Sequence, residues 1–108
     1  MTNDSDAKEA GKIIVHVDEE IEDLIPGFLE NRRKDVNALG EALAKGDYET
    51  IRTLGHAMKG AGGGYGFDTI TDIGGSLEQA AKDEDAQEIR KRINELSAYL
   101  ERVEVIHG

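Results

Sequence analysis

"DYETIRTLGHAMKGAGGGYGF", residues 47–67, reads either as a helix that ends in a turn or as a glycine-rich phosphate loop, and the choice decides the fold. Ile51, Leu54, Met58, Ala61 and Tyr65 are spaced by three and four, which lays one apolar stripe along a helix. Asp47 is a suitable cap for that helix, and Glu49 is favourable in its first turn. A phosphate loop fails on the residues themselves. GxGxxG begun at Gly60 meets Tyr65, begun at Gly62 meets Phe67, and begun at Gly64 meets Thr69. No GxxxxGK precedes a serine or threonine and no strand leads into the run, so nucleotide binding lacks both motif and context. The stretch reads as a helix, which ends at about Gly62 if the remaining glycines form a turn.

The same spacing recurs on both sides. Asp18 can cap a short helix through Ile25, and Pro26 either kinks it or opens the next segment. From there to Lys45, Phe28, Leu29, Val36, Leu39 and Leu43 form a stripe that Gly46 ends. After the glycines, Asp68 can cap a helix with Ile70, Ile73, Leu77 and Ala81 inward, and "KDEDA" (82–86) makes its last turn. Ile89, Ile93, Leu96, Leu100 and Val103 give the most regular stripe of all. The pattern predicts an all-α fold, an antiparallel up-and-down four-helix bundle with a short extra N-terminal helix. Residues 1–11 are small and polar and are expected to be a disordered lead, leaving 12–108 as one helical domain. "KIIVHV" (12–17) is either a short extended arm or a segment lying along the bundle.

Composition narrows the function. One proline and five aromatic residues argue against an all-β chain. There is no cysteine, so disulfides and thiolate metal sites are excluded, and no run approaches membrane-spanning length. The start has no apolar stretch that could serve as a secretory signal, and the expected setting is the cytoplasm. Thirteen Lys plus Arg against twenty-three Asp plus Glu leave a net charge of -10, which repels a nucleic-acid backbone. Neither nucleic acid nor membrane is an expected partner. His16, His56 and His107 are isolated and show no metal-ligand spacing, so no metal is expected. Nothing demands a symmetric partner face, and a monomer is expected.

At about 100° per residue, His56 sits about 160° from both Leu54 and Met58, opposite the apolar stripe and facing water. Arg52 and Gly60 each lie about 40° from it, Lys59 about 60°, and Gly63 almost directly above. That face reads as a cationic, uncrowded strip. A glycine within a helix costs roughly 0.5–1 kcal/mol relative to alanine, so the cluster is not filler. Gly60 and Gly63 suit access to His56, and Gly64 and Gly66 suit the turn and close helix packing. Arg32 and Arg33 read as a solvated face, and His16 and His107 as incidental.

"HAMKGAGGGYG" resembles the HxxKGxxxxxG pattern of histidine phosphotransfer (HPt) domains at His56, Lys59, Gly60 and Gly66. The likeness takes in "GDYETI" (46–51) and "LEQAA" (77–81) and spans roughly residues 18–105. Met58 stands where that family often has leucine, and Gly62–Gly64 exceed what the pattern requires. The resemblance implies that His56 accepts a phosphoryl group at Nε2 from a receiver-domain aspartate and passes it to another. It implies response-regulator receivers or a hybrid histidine kinase as partners, with Mg²⁺ supplied by the receiver and no cofactor bound by this chain. It implies a carrier without kinase activity of its own. An imidazole in water titrates near pH ~6.5, so a solvent-facing ring is largely neutral and nucleophilic without a dedicated base. Lys59 would sit near the phosphoryl oxygens, and Gly60 would leave room for the receiver. A helical module that binds a receiver or another signalling protein without being phosphorylated is the other function that fits.

Overall fold

The computed structural model describes residues 13–107. The expected polar lead, 1–11, lies outside the described residues. A strand, β1 (Ile13–Val17), and a 3-10 segment (Glu19–Leu24) precede α1 (Ile25–Lys45). Next come α2 (Tyr48–Gly62), a 3-10 turn (Gly63–Tyr65), α3 (Asp68–Lys82), α4 (Ala86–Arg102) and a second strand, β2 (Val103–His107). The described residues are thus mainly helical, with four α-helices.

Each boundary follows from local chemistry. Asp18 accepts from the Glu20 amide and caps the 3-10 segment, and Pro26 occupies the first turn of α1, where its missing N–H costs nothing. Gly46 ends α1 in the left-handed region, φ 69°, with its amide on the carbonyls of Ala42 and Leu43. Asp47 caps α2 and Asp85 caps α4, accepting from the amides of Thr50 and Glu88. Asp68 does not cap α3. It is the first helical residue, after Phe67, where its charge still favours the helix N-terminus.

The core takes Ile25, Phe28, Leu29 and Leu39 from α1, Ile51 and Met58 from α2, and Ile70, Ile73 and Leu77 from α3. Ile89, Ile93, Leu96, Tyr99 and Leu100 come from α4. Val36, Leu43, Leu54, Ala61 and Tyr65, all expected on the apolar stripes, pack at its margin. Between α2 and α3, phenylalanines pin the glycine turn. Phe67 is fully buried, and Phe28 stacks on both Tyr65 (centroids 4.4 Å apart) and Phe67 (5.3 Å). Arg32 is therefore not a solvated residue. Its guanidinium lies 4.9 Å above the Phe28 ring, and its Nε donates to Asp35 at 2.8 Å.

Glycine brings α2 and α3 together backbone to backbone. A Cβ on Gly74 would lie 2.6 Å from the Lys59 nitrogen and 2.7 Å from the Gly55 carbonyl oxygen. One on Gly55 would lie 2.8 Å from the Glu78 nitrogen, and one on Gly62 would lie 2.7 Å from the Thr71 nitrogen. Contacts that climb α2 from Gly55 to Gly62 descend α3 from Glu78 to Thr71. Close packing thus falls to Gly55, Gly62 and Gly74 rather than to Gly64, around which there is open space. Gly66, at φ 87°, makes the turn as its position suggested.

The ends of the chain depart from the all-helical expectation. "IIVHV" (13–17) is extended, and β1 pairs in parallel with β2, Ile13 opposite Val103 and Val17 opposite His107. Val103 continues the α4 stripe in sequence, but the backbone leaves the helix there, at φ -68°, ψ 133°. The alternation Val103, Val105 faces the core with Ile13, Val15 and Val17, while Ile14 and His16 point outward.

Tyr99 carries a measurable consequence of this packing. Burial, reinforced by the charge of Asp68, pushes its phenol up to about 12. The stability linked to the protonated phenol is fully present below the ordinary tyrosine value near pH ~10 and is lost as pH rises through about 12. Alkaline spectroscopic titration should show one of the three tyrosines ionising late, and Tyr99→Phe should remove that step. Three tyrosines ionising together in the folded protein would contradict it.

Candidate functional site

His56 stands at the middle of α2, on the face turned away from Ile51 and Met58. Asp47 anchors the start of this helix through two contacts with Thr50, from its amide at 3.1 Å and its hydroxyl at 2.7 Å. The Thr50 hydroxyl, then the Thr50 amide, hold the Asp47 carboxyl below the usual range. The His56 side chain is 73% exposed. It is not solitary, however. Nδ1 lies 3.0 Å from Oε2 of Glu78, which reaches across from α3 and whose side chain is only 12% exposed.

Two lysines also meet Glu78. Its Oε1 is 3.8 Å from Lys59 Nζ and its Oε2 is 4.0 Å from Lys82 Nζ. Burial opposes its charge. The His56 hydrogen bond and the charges of His56, Lys82 and Lys59 outweigh that effect and hold the carboxyl below the usual range. The Lys59 stem crosses Gly75, where a Cβ would be 3.6 Å from its Cδ.

Of the residues singled out in the sequence, His56 and Lys59 meet at this carboxylate. Arg52 does not join them. Both ends of its guanidinium group go to Glu49 one turn back, which raises its pKa further. The face expected to be a cationic strip is instead one of paired charges, because Arg52, Lys59 and Lys82 each have an acidic partner. Gly60 lies open, with nothing within 4 Å of the position a Cβ would take, and Gly63 has only the Thr71 hydroxyl at 3.6 Å. No fold contact calls for glycine at position 60. Among the described residues no group of three His, Asp or Glu is placed to hold a metal, and no helix is long and apolar enough to cross a membrane.

Glu78 is the residue that sequence reasoning missed. "LEQAA" contributed to the family resemblance, but one carboxylate among twenty-three acidic residues is not distinguished by type. Only the glycine contacts that set α3 against α2 bring it to a histidine twenty-two positions away.

The family model for the Hpt domain matches residues 19–105, and the chain belongs to that family. Its members are carriers of histidine phosphotransfer in phosphorelays rather than enzymes with a catalytic site of their own. A search of curated proteins and a search of solved structures each returned no match.

Proposed function

We propose that this chain is a histidine phosphocarrier built on an antiparallel up-and-down bundle. His56 takes a phosphoryl group from an aspartate of a response-regulator or hybrid-kinase receiver domain and gives it to another. The observation that carries the reading is the contact of Nδ1 with Glu78 on a ring otherwise open to solvent. An ionised carboxylate can only accept, so Nδ1 carries the hydrogen and the lone pair of a neutral ring resides on Nε2. Nε2 is then the nucleophile, and no separate base is needed.

Phosphoryl transfer depends mainly on positioning and on stabilising charge. This chain supplies the held imidazole, the Lys59 ammonium beside it and the bare surface at Gly60. The receiver supplies the acidic pocket with its Mg²⁺. Incubation with a phosphorylated receiver should put an acid-labile, base-stable label on this chain, whereas ATP alone should give none. Absence of label with every receiver of a full set would sink the proposal.

Access and charge around His56 can be separated. Gly60 is one turn beyond His56 and about 40° away, and Gly60→Glu would add bulk and like charge against the incoming phosphoryl group. Lys59→Ala removes one exposed charge, whose single interaction is modest under screening. We expect Lys59→Ala to slow transfer from a phosphorylated receiver without abolishing it, and Gly60→Glu to be worse, with helicity retained in both. Wild-type transfer by Gly60→Glu, with Lys59→Ala inactive, would overturn the open-face argument.

A further inference from the structure

Glu78 does more than orienting a ring requires. A neutral amide in its place could also accept from Nδ1–H of an unphosphorylated imidazole. A carboxylate differs in what it does once Nε2 is occupied. The phosphorylated ring can then keep the Nδ1 hydrogen, as a cation, or lose it to water. An amide can donate to the bare nitrogen and so tolerate the loss, but an ionised carboxylate has no hydrogen to donate and favours the protonated ring.

We infer that Glu78 is a positioning residue that keeps the hydrogen on His56 Nδ1 throughout the phosphoryl cycle, so that the group enters and leaves without any proton exchange. This rests on the phosphocarrier reading above. In acceptance, the Nε2 lone pair forms the N–P bond as the O–P bond of the receiver's acyl phosphate breaks, and that electron pair stays on the released carboxylate. The ring becomes a phosphoimidazolium with Nδ1–H still on Glu78. In donation, a receiver carboxylate forms O–P, the N–P bond breaks, and its electrons return to Nε2. A neutral imidazole leaves instead of an imidazolate, and atoms and charge balance in both directions with no acid or base taking part.

The surroundings keep Glu78 fit for this part. The charged groups facing it are His56 and Lys59 from α2, with Arg52 beyond them committed to Glu49, and Lys82 one turn along α3. All those that touch it are basic. Lys82 shares the oxygen used by His56, at 4.0 Å, and Lys59 has the other, at 3.8 Å. The carboxylate therefore stays charged whether or not the ring does.

The test needs no cognate receiver. Wild type and Glu78→Gln are phosphorylated with potassium phosphoramidate, and the ring is titrated by ³¹P and ¹⁵N NMR from about pH 6 to 9. Wild type in urea serves as a reference that involves no substitution. The ring midpoint in folded wild type should lie about one pH unit or more above that in folded Glu78→Gln and in urea-unfolded wild type, as expected for a hydrogen-bonded opposite charge. Above both midpoints, release of phosphate should be about tenfold faster from wild type than from Glu78→Gln for every pH unit that separates their midpoints. Should the substitution disturb folding, the urea comparison decides alone. Labelled His56 with one common midpoint in all of them overturns the inference and leaves the carrier reading standing. Folded wild type that takes no label on His56, from phosphoramidate or from a phosphorylated receiver, overturns the carrier reading and this inference together.

Discussion

His56→Gln is expected to reduce phosphoryl labelling to background while leaving the fold unchanged. The ring is 73% exposed, and among the described residues its one polar contact is Glu78, so no core packing goes with it. Glutamine is polar and helix-compatible and can still face that carboxylate, but it offers no nucleophilic nitrogen. Circular dichroism and melting should match wild type, and the acid-labile label from a phosphorylated receiver should disappear. Label retained on a folded His56→Gln protein would point to another acceptor and remove His56 from its role.

The largest expected loss of stability lies at a residue with no side chain. Gly74→Ala would set a methyl group 2.6 Å from the Lys59 nitrogen and 2.7 Å from the Gly55 carbonyl oxygen. Both struck atoms are backbone, so relief requires α2 and α3 to separate. We expect a loss of about 3 kcal/mol, the upper end of ordinary overpacking, with slower transfer because Glu78 withdraws from His56. Gly40→Ala, on α1, is the internal contrast. Nothing lies within 4 Å of its Cβ, and it should gain about 0.5–1 kcal/mol from helix propensity. Urea melts of the two variants decide the matter. Equal stability in Gly74→Ala and wild type would mean that the two backbones are not in contact.

Most of the helical architecture was legible because it is written in short-range periodicity. Ile89, Ile93, Leu96 and Leu100 are spaced as one helix face and form one. His56 could be placed opposite the core by the same arithmetic. What escaped depends on partners distant in sequence. Val103 fits the α4 stripe by spacing, yet the alternation of Val103 and Val105 serves a strand whose partner begins at Ile13. No local window contains both. Gly55 and Gly74 each look like a cost to their own helix, and their use emerges only where one backbone meets the other. Glu78 was hidden for the same reason. The pairing of Arg52 with Glu49, by contrast, is an ordinary i,i+3 contact that was readable in principle. Attention to the cations alone made the face look positively charged.

The glycine seam also sets a dimensional tolerance. A distance between groups on two helices accumulates the play of every rotatable bond that separates the two backbones. Where large side chains keep helices apart, each of their rotamers adds to that sum. Between α2 and α3 main chain rests on main chain at Gly55 and Gly74, and only the torsions of His56 and Glu78 themselves remain between the helices and the 3.0 Å contact. The seam works as a fixed datum from which the His56 ring is located. A carrier must meet donor and acceptor alike, and one reference surface lets it offer both the same dimensions without being reset between encounters.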